Sequence, residues 1–412
     1  MPTEKIQTTC CIAGGGPAGM MLGFLLARAG VDVVVLEKHK DFLRDFRGDT
    51  IHPSTLELMY ELGLLDDFLK LPHQKVRDIS IQIGNEFVTI GDLRHVPTHC
   101  KFIAFMPQWD FLDFLADSAK KYNGKNKKRF DLRMRAEATG LIHSGDRVVG
   151  LTAKTPRKEL EIRADLVVGA DGRHSFVREA AGLAGDDYGA PMDVLWFRVS
   201  RKKGDKAGVF GHAEAGELMV MLDRGEYWQC AYVIPKGDIA KVHARGIEAF
   251  RASIVKMSPF LKRRAGEIKS FDDVKLLTVT VDRLRQWHRP GLLCIGDAAH
   301  AMSPVGGVGI NLAVQDAVAA ANILAAPLKA RAVTSEHLHA VQERRMFAVR
   351  LTQAIQLVAQ KRVIGRLLKT KERPHLPLLF RLFKWFPALR RIPARLIGVG
   401  FRPEHIETPE VR

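Results

Sequence analysis

Apolar positions along the chain follow two periods, and each change of period marks an element. Thr9-Cys10-Cys11-Ile12-Ala13 is a short continuous apolar run that ends at Gly14-Gly15-Gly16-Pro17-Ala18-Gly19. Beyond it Ala18, Met21, Leu22, Leu25, Leu26 and Ala29 recur at three- and four-residue spacing, which predicts a helix packed on one face. Gly30 stops that helix, and Val31 to Leu36 is a second run of buried-strand type. Strand, glycine turn, helix, strand predicts a βαβ unit.

Further on, Ser54 is placed to cap a helix running to Gly63. Asp110 is placed to cap another, with Phe111, Phe114, Leu115 and Tyr122 on one side. A third strand, Asp165 to Val168, leads into Gly169-Ala170-Asp171-Gly172. From about Tyr188 to Val281 the texture changes. Val194–Val199, Leu218–Leu222, Tyr227–Ile234 and Leu276–Val281 mostly lie between glycine, proline and charge clusters, which predicts an antiparallel sheet. Leu292 to Ile295 returns to the buried-strand style, and an Ala-rich helix is predicted from about Leu312 to Leu324. Past Ser335 the tail reads as helical, cut by Pro374, Pro377, Pro387 and Pro393.

The composition is that of a folded protein: 412 residues, 46% apolar and 26% charged. Five cysteines without a CxxC pair exclude a disulfide framework and a zinc ribbon, so no metal is expected. The net charge is +17, and between Lys361 and Arg402 there are 12 Lys and Arg against one acid, Glu372. Such an excess favours anionic partners, yet the aromatic residues form no nucleic-acid module, so nucleic acid is not expected. No run of 18 uncharged apolar residues occurs and the first residues lack a signal-peptide core, so a cytoplasmic location is expected. The basic, aromatic stretch Leu376 to Phe386 has two readings: a surface lying weakly on the inner face of a membrane through 376–402, or a helix packed over the domain that the first βαβ unit opens, with its charges outward.

Gly14-x-Gly16-x-x-Gly19 is a dinucleotide fingerprint in its required setting. Gly14 permits the tight turn, Gly16 admits a pyrophosphate against the backbone, and Gly19 lets the helix sit close to the sheet. The pyrophosphate would rest at the helix N-terminus beside Ala18. Glu37, 18 residues past Gly19, is placed to accept ribose hydroxyls and to repel a 2′-phosphate. These residues alone do not separate NAD from FAD.

Two further segments do. Ala170-Asp171-Gly172-Arg173-His174-Ser175-Phe176-Val177-Arg178 is similar to the Asp-Gly motif of flavoprotein aromatic hydroxylases. Gly296-Asp297-Ala298-Ala299-His300, continuing to Pro304 and Gly306-Gly307-Val308-Gly309-Ile310-Asn311, is similar to their Gly-Asp motif. The chain, from about residue 8 to 330, resembles the group A FAD-dependent monooxygenases typified by para-hydroxybenzoate hydroxylase. The resemblance implies an α/β fold: a discontinuous Rossmann-like FAD-binding domain (1–75, 101–187 and 282–334), an inserted antiparallel-sheet substrate domain (76–100 and 188–281) and a short helical C-terminal region (335–412).

It also implies non-covalent FAD and NAD(P)H as co-substrate. In the family Asp297 contacts the ribityl chain, Gln108 the ribityl–phosphate region, and Arg47 the flavin and pyrophosphate, with Arg44 a competing assignment. Asp171 is expected to organise its turn and orient Arg178. Gly296, Gly307, Gly309 and Asn311 would line the flavin, with Pro304, Gly309 and Asn311 shaping the ring environment and no side-chain acid or base. His300 is read as structural. The implied reaction inserts one oxygen atom from O2 into an aromatic or polyketide-like substrate through a flavin C4a-hydroperoxide. Trp196, Arg198, Phe210, Met219, Met221 and Tyr232 are the candidates for the substrate wall; by strand alternation Trp196 shares a face with Arg198, and Met219 with Met221. The alternatives are a non-hydroxylating flavin oxidoreductase of the same fold, a halogenase or prenyl-chain reductase, or a non-catalytic FAD-binding protein. Tyr227 to Pro235 partly matches the halogenase Trp-x-Trp-x-Ile-Pro pattern, with Tyr232 for the second tryptophan.

Overall fold

The computed structural model describes residues 2–43, 49–125, 128–205, 209–372 and 374–411, with Val209, Phe210 and Leu379 described through their backbones alone. The first strand, Thr3–Ala13, is longer than its apolar run, because its first residues pair along Glu159–Gly169. The main sheet runs His288–Arg289, Leu292–Cys294, Glu159–Gly169, Thr3–Ala13, Val33–Glu37, Phe130–Met134. All neighbours are parallel except the first pair. A hairpin, Glu137–Ser144 and Arg147–Lys154, adds antiparallel to the outer half of Glu159–Gly169. The central strands carry continuous apolar runs because both faces are covered. Pro17–Arg28 lies against both Gln108–Lys120 and Gly309–Lys329.

The second sheet is ordered Lys275–Leu277, Met192–Ser200, Tyr227–Pro235, Glu217–Asp223, Val209–Glu214, Asp78–Ile83, Glu86–Asp92. It is antiparallel throughout except where Val209–Glu214 meets Asp78–Ile83. Alternation divides its side chains. Leu195, Phe197, Met219, Met221, Cys230 and Tyr232 form a buried layer with Phe250 and Ile254 of the helix Gly246–Met257. Trp196 and Arg198 lie on the opposite face, in register with Ala231 and Gln229. On that face Leu222 packs with Ile103 and Phe105 of the first domain, so the face looks into the cleft between the sheets.

Three boundaries differ from the sequence reading. Pro53–Glu61 starts after His52, with Ser54 buried inside it, and Gln108–Lys120 starts after Pro107, with Asp110 in its first turn. In both places proline sets the helix start: Pro53 is pre-organised for the first helical position, and Pro107 stays extended ahead of it. The predicted strand from Leu276 is only Lys275–Leu277. Val305–Lys329 is long and apolar enough to cross a membrane, but 78% of that window is buried inside the protein, as expected of a core helix.

The tail opens with one helix, Ser335–Val358, passes through a π-helical turn, Ala359–Ile364, and continues as Leu378–Trp385, Pro387–Arg390 and Arg391–Gly398. Of the four prolines, Pro393 is accommodated in the first turn of the last helix and the others fall between or at the edges of elements. Leu376, Phe380 and Phe383 pack on Ile83, Ala213 and Val233. The segment Leu376 to Trp385 therefore covers the second sheet, while Ser335–Val358 packs on Gly309–Lys329 of the first domain.

Candidate functional site

Three chain segments meet at the carboxyl edge of the main sheet, where ligands bind in open α/β folds. The first is the opening glycine turn. Gly14 has φ +109°, and a Cβ on it would lie 2.3 Å from the Ala170 carbonyl oxygen. A Cβ on Gly19 would lie 1.9 Å from the Gly14 carbonyl oxygen, so the helix rests directly on the turn. Gly16 differs: a Cβ there would meet nothing within 4 Å, and no side chain caps the helix that follows. The first-turn N–H groups at Ala18 and Gly19 thus front open space with the positive end of the helix behind them. Glu37 accepts the Gly15 N–H at 3.1 Å and the His39 N–H at 3.0 Å, one on each oxygen, which fixes its carboxylate beside the glycine turn.

The second segment follows Leu292–Cys294. Gly296 has φ +60°, and a Cβ on it would be 3.1 Å from Ala18 Cβ and 3.2 Å from Ala313 Cβ. This glycine brings the two helix starts together. Its N–H donates to Asp316 Oδ2 at 3.1 Å; the same oxygen meets His300 Nε2 at 2.6 Å, and Asp316 Oδ1 accepts Arg345 Nε at 2.9 Å. Burial would raise the Asp316 carboxyl, but His300 and Arg345 hold it below the usual range. His300 is structural in this arrangement. Asp297 is paired with Arg173 Nε at 3.2 Å, and both remain partly open to solvent.

The third segment is the glycine loop and the start of Gly309–Lys329. Pro304 precedes Val305–Gly307, and Gly306 and Gly307 take φ +83° and +64°. Gly309 faces open space and no side chain caps its helix, so a second uncapped N-terminus looks into the cleft. Asn311 does not offer its side chain to a ligand. Its Oδ1 accepts the His52 N–H at 2.9 Å and the Thr55 hydroxyl at 2.7 Å, while Nδ2 donates to the Thr50 carbonyl at 3.2 Å. It clamps residues 50–55 to the glycine loop, and Thr50 Oγ1 also donates to the Gly307 carbonyl at 2.9 Å.

The Asp-Gly segment works differently from its expected role. Asp171 accepts the Ser175 hydroxyl and the Val177 N–H (3.1 Å), organising the turn; burial raises its carboxyl against those bonds. It does not hold Arg178. That guanidinium pairs with Asp282 at 3.2 Å and donates to the Arg173 carbonyl at 2.8 Å. Arg44 and Arg47 fall outside the described residues. Gln108 is buried at the first position of its helix, where its backbone N–H lowers the Asp49 carboxyl against burial.

Several site residues carry no sequence motif. Asp49 pairs with Arg224 of the second sheet, whose Nε donates to Gln229 Oε1 at 2.9 Å and whose guanidinium lies 5.3 Å from the Phe105 ring centre. Burial pushes the Asp49 carboxyl up in spite of that arginine. His52 is fully buried, with Nδ1 2.7 Å from the Ile397 carbonyl, so Nδ1 carries the hydrogen. Its Nε2 is buried without a hydrogen-bond partner on the Gly307 side. Burial lowers its pKa to about 4. From the tail helix, Gln353 donates to the Ala301 carbonyl at 3.1 Å, Gln356 to those of Ser303 (3.0 Å) and Val305 (2.8 Å), and Gln360 to the Ser303 hydroxyl.

The substrate candidates separate by face. Trp196 and Arg198 stand on the cleft side, Arg198 over the Tyr227 ring at 5.0 Å. Met219, Met221 and Tyr232 do not: they are buried in the layer against Gly246–Met257, and the Tyr232 hydroxyl donates to Glu217 at 2.9 Å. The backbone of Phe210 pairs with Met221. Gln229, Val220 and Leu222 share the cleft face instead.

Two uncapped helix starts with open space in front, joined through Gly296 and flanked by the Glu37 carboxylate, fit a flavin dinucleotide: the diphosphate would rest on the first and the pyrimidine edge on the second. Fold and site together define a two-domain flavoprotein oxidoreductase. A family model described as FAD binding domain matches residues 7–355. The chain belongs to that family and is an FAD-dependent monooxygenase. It is 31% identical over 349 residues to 6-methylpretetramide 4-monooxygenase of Streptomyces rimosus, covering 84% of this chain and 81% of the relative. It is 29% identical over 317 residues to rifampicin monooxygenase of Streptomyces venezuelae, covering 74% of this chain and 61% of that one. The solved structure of a flavin-dependent brominase shares the fold, with TM-score 0.75 and 18% identity over 95% of this chain and 93% of that one.

Proposed function

We propose that this monooxygenase uses NAD(P)H and O2 to place one oxygen atom on an electron-rich aromatic or polyketide-like molecule in the cytoplasm. The substrate sits between the glycine loop and the Trp196–Arg198 face. One observation carries this reading: Gly296 holds the starts of Pro17–Arg28 and Gly309–Lys329 together, both uncapped and both facing open space. When bound, FAD supplies the redox chemistry, accepting reducing equivalents from the nicotinamide and activating O2.

The chain's own residues position and shield. The N–H groups at Gly16, Ala18 and Gly19 bind the diphosphate, Glu37 the adenosine ribose, and Asp297 the ribityl hydroxyls. The N-terminus of Gly309–Lys329 stabilises negative charge at the ring edge. Pro304 walls the pocket from the cofactor side, while Leu376, Phe380 and Phe383 close the substrate sheet beside Val305, excluding water. Arg198, Trp196 and Gln229 face the substrate, and a planar phenol or enol carrying negative charge suits that set.

A halogenase reading is disfavoured by Trp228. It is buried in the layer behind the sheet with its indole N–H donated to Asp205 at 2.9 Å, so this tryptophan does not line the cleft. The test is a panel of phenols, naphthols and polyketide aromatics incubated with FAD-loaded protein, NADH or NADPH, and O2. The expected result is stimulated nicotinamide oxidation and a product heavier by one oxygen atom. Halide-dependent products, or no product and no stimulation across the panel, would overturn the reading.

A further inference from the structure

Thirteen large hydrophobic side chains stand exposed among the described residues, and eight of them lie between Phe347 and Ile392. The four most exposed of those eight belong to the last helices: Leu378 at 66%, Trp385 at 61%, Ile392 at 58% and Phe386 at 57%. The sequence dictates this placement. In Leu378–Trp385 the inward positions are Phe380 and Phe383, which pack on the substrate sheet, so Leu378, Arg381 and Trp385 fall on the opposite side at three- and four-residue spacing. In Arg391–Gly398 the inward positions are Ala394 and Ile397, which leaves Arg391, Ile392 and Arg395 outside.

The exposed apolar groups are thus interleaved with cations. Among the described residues Arg381, Arg391 and Arg395 form no salt bridge; Lys384 alone of this set is paired, with Glu86 at 2.8 Å. Between Lys361 and Arg402 the sequence has a single acid. A soluble partner helix would have to bring its own carboxylates. A second copy of the chain would set these arginines against their own counterparts across a two-fold axis, which like charges oppose.

We propose that Leu378–Trp385, Pro387–Arg390 and Arg391–Gly398 form one docking surface for an anionic phospholipid bilayer. Leu378, Trp385, Phe386 and Ile392 enter the headgroup–acyl boundary, and Arg381, Arg391 and Arg395 meet the lipid phosphates. The same segment carries on its other side the phenyl rings that close the substrate sheet. A lipophilic substrate partitioned into the bilayer is therefore presented at the wall of the pocket. Binding here needs no turnover, so it stands or falls independently of the reaction.

The test uses the FAD-loaded full chain sedimented with vesicles of phosphatidylcholine alone and of phosphatidylcholine mixed with phosphatidylglycerol. Co-sedimentation is expected with the mixed vesicles only, and high salt releases it. Each arginine neutralised weakens binding roughly fivefold, so Arg391→Gln/Arg395→Gln weakens it about 25-fold. Trp385→Ser/Phe386→Ser abolishes it, with flavin content and melting temperature unchanged. As a readout on the folded wild type, tryptophan emission shifts to the blue on the mixed vesicles and does not in Trp385→Tyr. Equal binding to both vesicles, no binding to either, or wild-type binding by both double variants overturns the proposal. So does a result in which those variants instead dissolve a self-associated species seen by size exclusion, which would assign the surface to a second copy.

Discussion

Gln356 grips both backbone polar groups of Ser303: its amide oxygen accepts the Ser303 N–H at 3.2 Å and its amide nitrogen donates to the Ser303 carbonyl at 3.0 Å. The two residues lie 53 positions apart, one on the tail helix and one at the entrance to the glycine loop. The tail therefore helps hold the glycine loop in place.

Gln356→Leu leaves the buried Ser303 N–H and carbonyl without partners and frees the Val305 carbonyl, a cost of about 2–4 kcal/mol. Urea unfolding is expected to report that loss, and titration with FAD to report weaker binding. A variant with wild-type values in both would show that the loop holds itself.

Two glycines of one turn are expected to fail differently. Gly14→Ala forces a Cβ to 2.3 Å from the Ala170 carbonyl oxygen at φ +109°, so the apo-protein itself is destabilised. Gly16→Val projects into open space, so the apo-protein unfolds at the wild-type midpoint while FAD affinity falls tenfold or more, about 1.4 kcal/mol. Calorimetry of apo-protein beside FAD titration separates the two.

His52 gives stability a sign with pH. The unfolded ring titrates near 6.5 and the folded one at about 4, so the unfolded chain takes up the proton first. The contribution is whole above pH 6.5 and is lost as pH falls toward 4, up to about 3 kcal/mol. His52→Gln is expected to show a smaller drop in unfolding free energy between pH 7 and pH 5 than the wild type does.

Asp49 and Arg224 bind the two domains through a buried ion pair. Arg224→Met alone strands the Asp49 carboxylate and costs about 3–5 kcal/mol, whereas Asp49→Asn/Arg224→Met together cost less than the sum of the single changes. A double-mutant cycle by urea unfolding measures the difference; additive values would mean the pair is not coupled.

The first βαβ unit, the strands Glu159–Gly169 and Leu292–Cys294, and four strands of the second sheet (Met192–Ser200, Glu217–Asp223, Tyr227–Pro235 and Lys275–Leu277) follow from continuous apolar runs and glycine breaks. Phe130–Met134, Asp78–Ile83, Glu86–Asp92 and Val209–Glu214, with shorter or mixed runs, do not. The hairpin at 137–154 was missed: Thr139, Gly140, His143 and Ser144 interrupt its apolar alternation, since one side of it is exposed. Alternation correctly paired Trp196 with Arg198 and Met219 with Met221. Period alone, however, does not say which face meets a helix layer, and the buried layer claimed Met219, Met221 and Tyr232. Arg178 was assigned to Asp171 by nearness in sequence, but its partner Asp282 arrives from 104 residues away. Gln353, Gln356 and Gln360 did leave a trace, a polar row at three- and four-residue spacing whose burial only tertiary contact reveals.

Those glutamines are neutral at every pH an enzyme meets. The hold they give the 301–305 backbone neither titrates nor weakens with ionic strength. An acid or alkaline limb in the rate profile then reports on ionisations elsewhere, in His52 or in the hydroxyl of the molecule being oxidised, and not on a loosening of the loop.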